Sequence, residues 1–274
     1  MKESTKSKEN RISAQNIRSR KGKTPLVCIT AYSTPMSNLF DEYVDLILVG
    51  DSVGMVLYGL PSTLAVSLDM MINHGAAVVR GAKKACVVVD LPFGSYQSSP
   101  SEAFHTAQRV MAETSCDAIK LEGGRVMAKT VEFLVNRGIP VMGHIGMLPQ
   151  SFKQTGGYKV QGRALDAADE IVKDAIALEE SGAFSIVIES VLEPLAIKIT
   201  DTVSVPTIGI GASVSCDGQI IVAEDILGMF TDFQPKFVKK YSNLAPVISK
   251  AIKEYAEDVR GRKFPNAENC YYDK

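Results

Sequence analysis

Residues 86–90 read Cys86-Val87-Val88-Val89-Asp90, an unbroken apolar run that ends on an acid. A strand with one wet face alternates polar and apolar side chains. A run that is apolar at every position is buried on both faces, as the strands of a parallel sheet are. The pattern recurs at 26–31, 46–50, 118–121, 141–144, 186–188, 206–209 and 220–223, making eight runs in all. Helical patterns fill the spaces between them, near 35–43, 67–81, 101–115, 126–137, 164–181, 194–203 and 243–259. Ser99-Pro100-Ser101-Glu102 gives a capped start with Pro in the first turn. Gly138 and Gly182 stand where helices stop before a strand. Strands alternating with helices predict a parallel sheet, and eight of them predict a single (β/α)8 TIM barrel rather than an open sheet. After residue 209 the seventh helix would be very short. We expect a basic tail over 1–22, the catalytic barrel over 23–265 and a short tail over 266–274.

Composition narrows the function. The chain has 274 residues, 46% hydrophobic and 22% charged, with a net charge of −1. Such a chain buries about three quarters of its unfolded surface, so it can build a core without disulfides. No apolar run is long enough for a transmembrane helix, and the balanced charge argues against nucleic acid as a partner. Residues 1–23 are the exception, with eight Lys or Arg against two Glu. They lack the apolar stretch of a secretory signal, and we expect a mobile tail entering the fold near Ile17. The five cysteines (28, 86, 116, 216 and 270) form no CxxC pair. Buried reduced thiols of a cytoplasmic protein are expected, and a zinc site is not. The longest polar, Gly-rich stretch, 145–163, is expected to be a loop serving as a lid or a contact surface.

In a barrel of this kind, catalytic residues stand at the C-terminal ends of the strands. Those ends carry Asp51-Ser52, Asp90, Lys120 with Glu122, His144, Glu189 and Gly209-Ile210-Gly211. Each has a bland explanation: a turn carboxylate, a solvated lysine, a core histidine. Their convergence outweighs it. Asp51, Asp90 and Glu122 would face one mouth, and like charges that close need a cation among them. Oxygen-only ligands favour Mg²⁺ over zinc. Glu189, further round the barrel, is then the candidate general base. Gly209 to Ser213 lacks the Gly-Lys-Ser/Thr of a P-loop. Lys83 and Lys84 precede a strand and belong to the opposite face. Met70, Met71 and Met111 fall in helical patterns as packing residues.

The same segments resemble the ketopantoate hydroxymethyltransferase family from about residue 23 to about residue 265. The resemblance is carried by Thr30-Ala31-Tyr32, Val49-Gly50-Asp51-Ser52, Val89-Asp90-Leu91-Pro92-Phe93, Lys120-Leu121-Glu122-Gly123-Gly124 and Gly143-His144-Ile145-Gly146. Pro149-Gln150, the run from Gly156 to Arg163, Gly209-Ile210-Gly211-Ala212 and Asp217-Gly218-Gln219 extend it. It implies a barrel of the phosphoenolpyruvate mutase type, with Mg²⁺ held by Asp51 and Asp90 and by Glu122 beside them. The substrate contacts it implies are Asp51, Ser52, Asp90 and Lys120, and His144 joins that set as an expectation. Glu189 becomes the proton acceptor. The implied reaction transfers a hydroxymethyl group from 5,10-methylenetetrahydrofolate to 3-methyl-2-oxobutanoate through a Mg-stabilised enolate, in pantothenate biosynthesis. Homodecamers are common in the family. The chain departs from the family at Ser33, usually Asp, at Gly75-Ala76, usually Thr-Arg, at Ser213, often Gly, and in its C-terminal residues. Two other functions fit such a barrel: a Mg-dependent C–C lyase of the isocitrate-lyase type, whose Lys-Lys-Cys-Gly-His motif is missing here, and a non-catalytic barrel subunit.

Overall fold

The computed structural model describes residues 11–157, 159–230 and 235–272. The first ten residues of the expected tail, Tyr158 and the last two residues lie outside these ranges.

The strands are β1 (Leu26–Thr30), β2 (Leu46–Val49), β3 (Cys86–Asp90), β4 (Ala118–Lys120), β5 (Val141–Gly146), β6 (Ser185–Glu189), β7 (Thr207–Ile210) and β8 (Gly218–Ile221). All pair in parallel and in sequence order, and β8 closes on β1. The expected (β/α)8 barrel is the observed one. Every residue of β2, β3 and β4 is buried, which is why these segments carry no alternation. The register sets Asp90 beside Lys120 and Gly146 beside Glu189, so the polar ends of neighbouring strands arrive at one level.

The helices are α1 (Ala14–Arg18), α2 (Thr34–Phe40), α3 (Val53–Val56), α4 (Leu68–Gly81), α5 (Pro100–Thr114), α6 (Ala128–Val135), α7 (Phe152–Thr155), α8 (Leu165–Glu180), α9 (Glu193–Thr202), α10 (Ala223–Ile226) and α11 (Leu244–Arg260). Helix α5 starts as its sequence predicts: the Ser99 hydroxyl accepts from Glu102 N and Pro100 occupies the first turn. Gly138 and Gly182 adopt φ of +83° and +92°, the left-handed region in which helices end without a Cβ penalty. Between β7 and β8 the chain makes turns only, with no helix.

Three expectations change. The described part of the expected tail, 11–22, is folded. Helix α1 buries Ala14 and Ile17 in one cluster with Leu26, Cys28, Leu46, Cys86, Ala118, Met142, Phe184, Ile208 and Ile220, and Ile12 packs against that cluster. These apolar side chains bury surface that the barrel strands would otherwise expose. Charged pairs hold the segment: Arg11 Nε lies 2.8 Å from Asp117 Oδ2, and Lys21 Nζ lies 3.0 Å from Asp217 Oδ2. The eighth strand begins two residues earlier than its apolar run, at Gly218. A Cβ there would stand 2.7 Å from Leu26 Cβ, so β1 and β8 approach this closely only at glycine. The stretch 145–163 is not all loop. It carries a short 3-10 turn (Pro149–Ser151) and α7, with Gln150 buried between partly exposed neighbours.

The chain divides into two compact units, one ending at Val222 and one beginning at Ala223. All eight strands belong to the first. In the second, α11 displays Val247, Ile248, Ile252, Tyr255 and Val259 on one face, all exposed. Cys28, Cys86, Cys116 and Cys216 are buried and free, and Cys270 is exposed. Lys83 and Lys84 are surface residues, as expected.

Candidate active site

Asp51 follows β2, and its side chain is buried although it is an acid. Its amide donates to Asp90 Oδ2 at 3.1 Å, which ties the ends of β2 and β3 together. Gly50 permits this turn, because a Cβ there would stand 2.8 Å from Ser52 Oγ and 3.6 Å from Asp90 Oδ2. Ser52 Oγ is hydrogen-bonded to Tyr32 OH at 2.8 Å. Lys120, the last residue of β4, is 4% exposed, and its Nζ stands 2.9 Å from Asp90 Oδ1. Glu122 is buried two residues on. On β5, His144 places Nδ1 3.2 Å from Lys120 Nζ and 3.7 Å from Glu122 Oε1. Its Nε2 lies 3.2 Å from Glu189 Oε2 at the end of β6. A line of polar groups thus runs Asp90, Lys120, His144, Glu189 across four adjacent strands. Gly146 lets β5 end against β6: its φ is +92°, and a Cβ would lie 2.4 Å from Glu189 O.

The electrostatics follow from burial. Asp51 is pushed up to about 7 by burial and by Asp90, against the pull of Lys120. Burial and the Asp51 charge raise Glu122 well above the usual carboxylate range. Burial lowers the Lys120 ammonium, but Asp90, Glu122 and Asp51 outweigh it, so the group stays charged. Burial and the Lys120 charge hold His144 far below its ordinary value, so the ring is neutral. A neutral ring beside an ammonium accepts at Nδ1 and carries its proton on Nε2, the nitrogen nearest Glu189. Glu189 is raised to about 7, chiefly by burial, and its side chain retains 14% exposure.

Every residue expected at the site is at one end of the barrel, and the ion pair and contacts above link Asp90, Lys120, His144, Glu122 and Glu189. Sequence reasoning missed Gln150 and Tyr96. Gln150 Nε2 donates to Asp51 Oδ2 at 2.9 Å, its main-chain N donates to Glu122 Oε2 at 3.0 Å, and its Oε1 accepts from Tyr96 OH at 2.7 Å. Gln150 stood inside a family motif, a signal that could have been used; Tyr96 carried none. The glycine-rich run has local causes: Gly209, within β7, would set a Cβ 3.1 Å from Cys216 Sγ, and Gly211 after the strand adopts a φ of +58°. The departures from the family have local roles as well. Ser33 caps α2, Gly75 lets α4 approach Thr114 and Val89, and Ser213 Oγ accepts from Ser215 N.

Two observations bear on a cation. Among the described residues, no three His, Cys, Asp or Glu side chains are already closed into an ion-holding group. Asp90 Oδ1 is nevertheless buried without a well-directed hydrogen bond, and three buried acids share one lysine. Asp51, Asp90 and Glu122 offer hard oxygen donors, and a bound cation would offset the cost that burial sets on ionising them, which is the chemistry that suits Mg²⁺.

A model of the family described as ketopantoate hydroxymethyltransferase matches residues 11–267. The chain belongs to this family. The match includes α1, the segment that buries Ile17 in the barrel core. The 3-methyl-2-oxobutanoate hydroxymethyltransferase of Ruegeria sp. (strain TM1040) is 57% identical over 270 residues, covering 98% of this chain and 96% of that one. The protein of the same name from Paracoccus denitrificans (strain Pd 1222) is 56% identical, covering 97% of each. This protein is therefore an enzyme, a hydroxymethyltransferase, and the non-catalytic alternative is set aside. Among solved structures, phosphonopyruvate hydrolase in complex with oxalate and Mg²⁺ is similar at a TM-score of 0.59 and 12% identity, covering 94% of this chain and 93% of that one. A 2,3-dimethylmalate lyase of the PEP mutase/isocitrate lyase superfamily is similar at 0.57 and 14%, covering 96% and 91%. These two likenesses are of fold.

Proposed function

We propose that the enzyme transfers a hydroxymethyl group from 5,10-methylenetetrahydrofolate to 3-methyl-2-oxobutanoate, forming 2-dehydropantoate for pantothenate biosynthesis. The observation that carries this is the line Asp90–Lys120–His144–Glu189, which sets a buried cation and a buried base of pKa about 7 on the two sides of a neutral histidine. Asp51 and Asp90 would hold Mg²⁺, with Glu122 beside them. When bound, Mg²⁺ polarises the keto oxygen of the 2-oxo acid and carries the negative charge that develops there.

The chain's own residues do the rest. Lys120 binds the substrate carboxylate or the growing oxyanion with its buried ammonium. Glu189 takes the C3 proton; a base of pKa about 7 is half ionised near neutral pH and strong enough to use. C3 then bonds to the one-carbon unit as its bond to one folate nitrogen breaks; water displaces the second folate nitrogen to complete the hydroxymethyl group, and the C3 proton and one proton of the water end on the two released nitrogens. His144, fixed as the neutral Nε2–H form, holds Glu189 apart from Lys120, so that base and ammonium do not collapse into an ion pair.

The enzyme acts on small molecules, and no helix among the described residues is long and apolar enough to cross a membrane. Four buried free cysteines support a cytoplasmic setting. The exposed apolar face of α11 supports self-association, and we carry the homodecamer forward as part of this proposal. One assay tests the reaction: 3-methyl-2-oxobutanoate, methylenetetrahydrofolate and Mg²⁺ should give 2-dehydropantoate, and omission of the folate should abolish turnover. Cleavage of a 2-oxo or 2-hydroxy acid without folate would overturn it in favour of a lyase.

A further inference from the structure

The geometry points to Gln150 as the residue that sets the positions of Asp51 and Glu122 for the metal, a positioning role carried by a chain of hydrogen bonds from the β3–α5 loop. This inference rests on the proposed role of those carboxylates as ion ligands.

The amide of Gln150 is saturated. Its Nε2 donates to Asp51 Oδ2 at 2.9 Å and to Leu91 O at 3.0 Å, two groups that can only accept once Asp51 is ionised. Its Oε1 accepts from Tyr96 OH at 2.7 Å and from Gln97 Nε2 at 3.0 Å. The orientation of the amide is therefore determined: reversing it would set Nε2 against the donating Gln97 and Oε1 against a carboxylate. Gln97 is oriented in turn, because its Oε1 accepts from Gly94 N at 2.8 Å. Donation thus runs one way, from Gly94 through Gln97 and Gln150 to the carboxylate of Asp51.

The main chain of the same residue supplies a second anchor. Gln150 N donates to Glu122 Oε2 at 3.0 Å, and Tyr96 OH accepts from Glu122 N at 3.1 Å. One buried residue thereby holds one oxygen of each of two acids from different strands. Without these donors, each acid would lose the contact that fixes the oxygen it turns toward Gln150. A methionine would fill the volume and keep the main-chain donor to Glu122 but lose the side-chain donor to Asp51, and an asparagine is one methylene too short to span from Tyr96 to Asp51.

Partners that orient metal-binding carboxylates typically cost 10–100-fold in metal affinity when removed. The test uses Mn²⁺ alone, titrated into the full chain and followed by the EPR signal of free Mn²⁺, with folding checked by circular dichroism and thermal melting. Gln150→Met should stay folded and bind Mn²⁺ about 10- to 100-fold more weakly than wild type. Tyr96→Phe, which removes one of the two donors to Gln150 Oε1 and the acceptor of Glu122 N, should weaken binding in the same direction by a smaller factor, and it decides the matter if Gln150→Met fails to fold. A merely structural role would lower the melting temperature and leave the Mn²⁺ affinity of the folded variant unchanged, which would overturn the inference. Wild-type protein that binds no Mn²⁺ would overturn the metal reading itself, and this inference with it.

Discussion

Glu189→Gln should make the protein more stable and nearly inactive, and the size of the stability gain follows from the structure. Burial raises the Glu189 carboxyl from 4.5 to about 7, and Lys120 offsets that only in part. The difference is about 2.5 pH units, or ~3.4 kcal/mol at 1.36 kcal/mol per unit. The folded protein holds this proton more tightly than the unfolded chain does. Between pH 4.5 and 7 the native state therefore binds more protons, and wild-type stability falls as pH rises, levelling off above 7. Gln cannot ionise and keeps the shape. The variant should thus exceed wild type by about 1 kcal/mol at pH 5 and by about 3 kcal/mol at pH 8. Urea unfolding of both proteins in EDTA at the two pH values measures the gap. In parallel, kcat should fall by ~10²–10⁴, the usual worth of a general base. Exchange of the C3 proton of 3-methyl-2-oxobutanoate into deuterated water, read by NMR, should slow with it. A stability gap equal at pH 5 and pH 8 would refute the electrostatic reasoning, and wild-type exchange in the variant would remove Glu189 as the C3 base.

Asp90→Ala removes a carboxylate from the proposed metal set and leaves the buried Lys120 ammonium without its 2.9 Å partner. Calorimetry should then show no Mg²⁺-dependent binding of the 2-oxo acid, and unchanged affinity at saturating Mg²⁺ would count against the proposed site. Lys120→Met should raise the KM for the oxo acid or lower kcat at least tenfold, about 1.4 kcal/mol; steady-state kinetics with both constants at wild-type values would leave Lys120 a structural residue. Ile17→Ala, at a position with no exposed surface, should cost about 2–5 kcal/mol in chemical denaturation. A loss below about 0.5 kcal/mol, the range of surface changes, would mean that α1 does not close the core.

The order and number of strands were legible because burial on both faces is written locally: each run in 26–31, 46–50 and 86–90 is apolar by itself, whatever it pairs with. Asp51 after the second of these runs and Asp90 at the end of the third were legible for the same reason, since barrel topology carries every strand end to one rim. Helix α1 was not, because Ile12, Ala14 and Ile17 are interleaved with Ser13, Gln15 and Asn16 over barely more than one turn, too short for a periodic signal. The start of β8 at Gly218 was hidden because a glycine adds nothing to an apolar run, and only the approach of Leu26 explains it.

Within the site, sequence alone named Asp51, Ser52, Asp90, Lys120, Glu122, His144 and Glu189, because charged groups at buried strand ends are conspicuous. Closure of the barrel decided how they are connected. Nothing in the sequence says that Lys120 reaches both Asp90 and His144, or that His144 is neutral. Those facts come from three strands brought side by side in an interior that penalises charge. Gln150 shows the limit most plainly. An uncharged amide has no periodicity and no charge to mark it, and its partners at 51, 91, 96, 97 and 122 are scattered over the sequence. Hydrogen bonds are short and directional, so its role exists only once the folded chain has set those groups about 3 Å away.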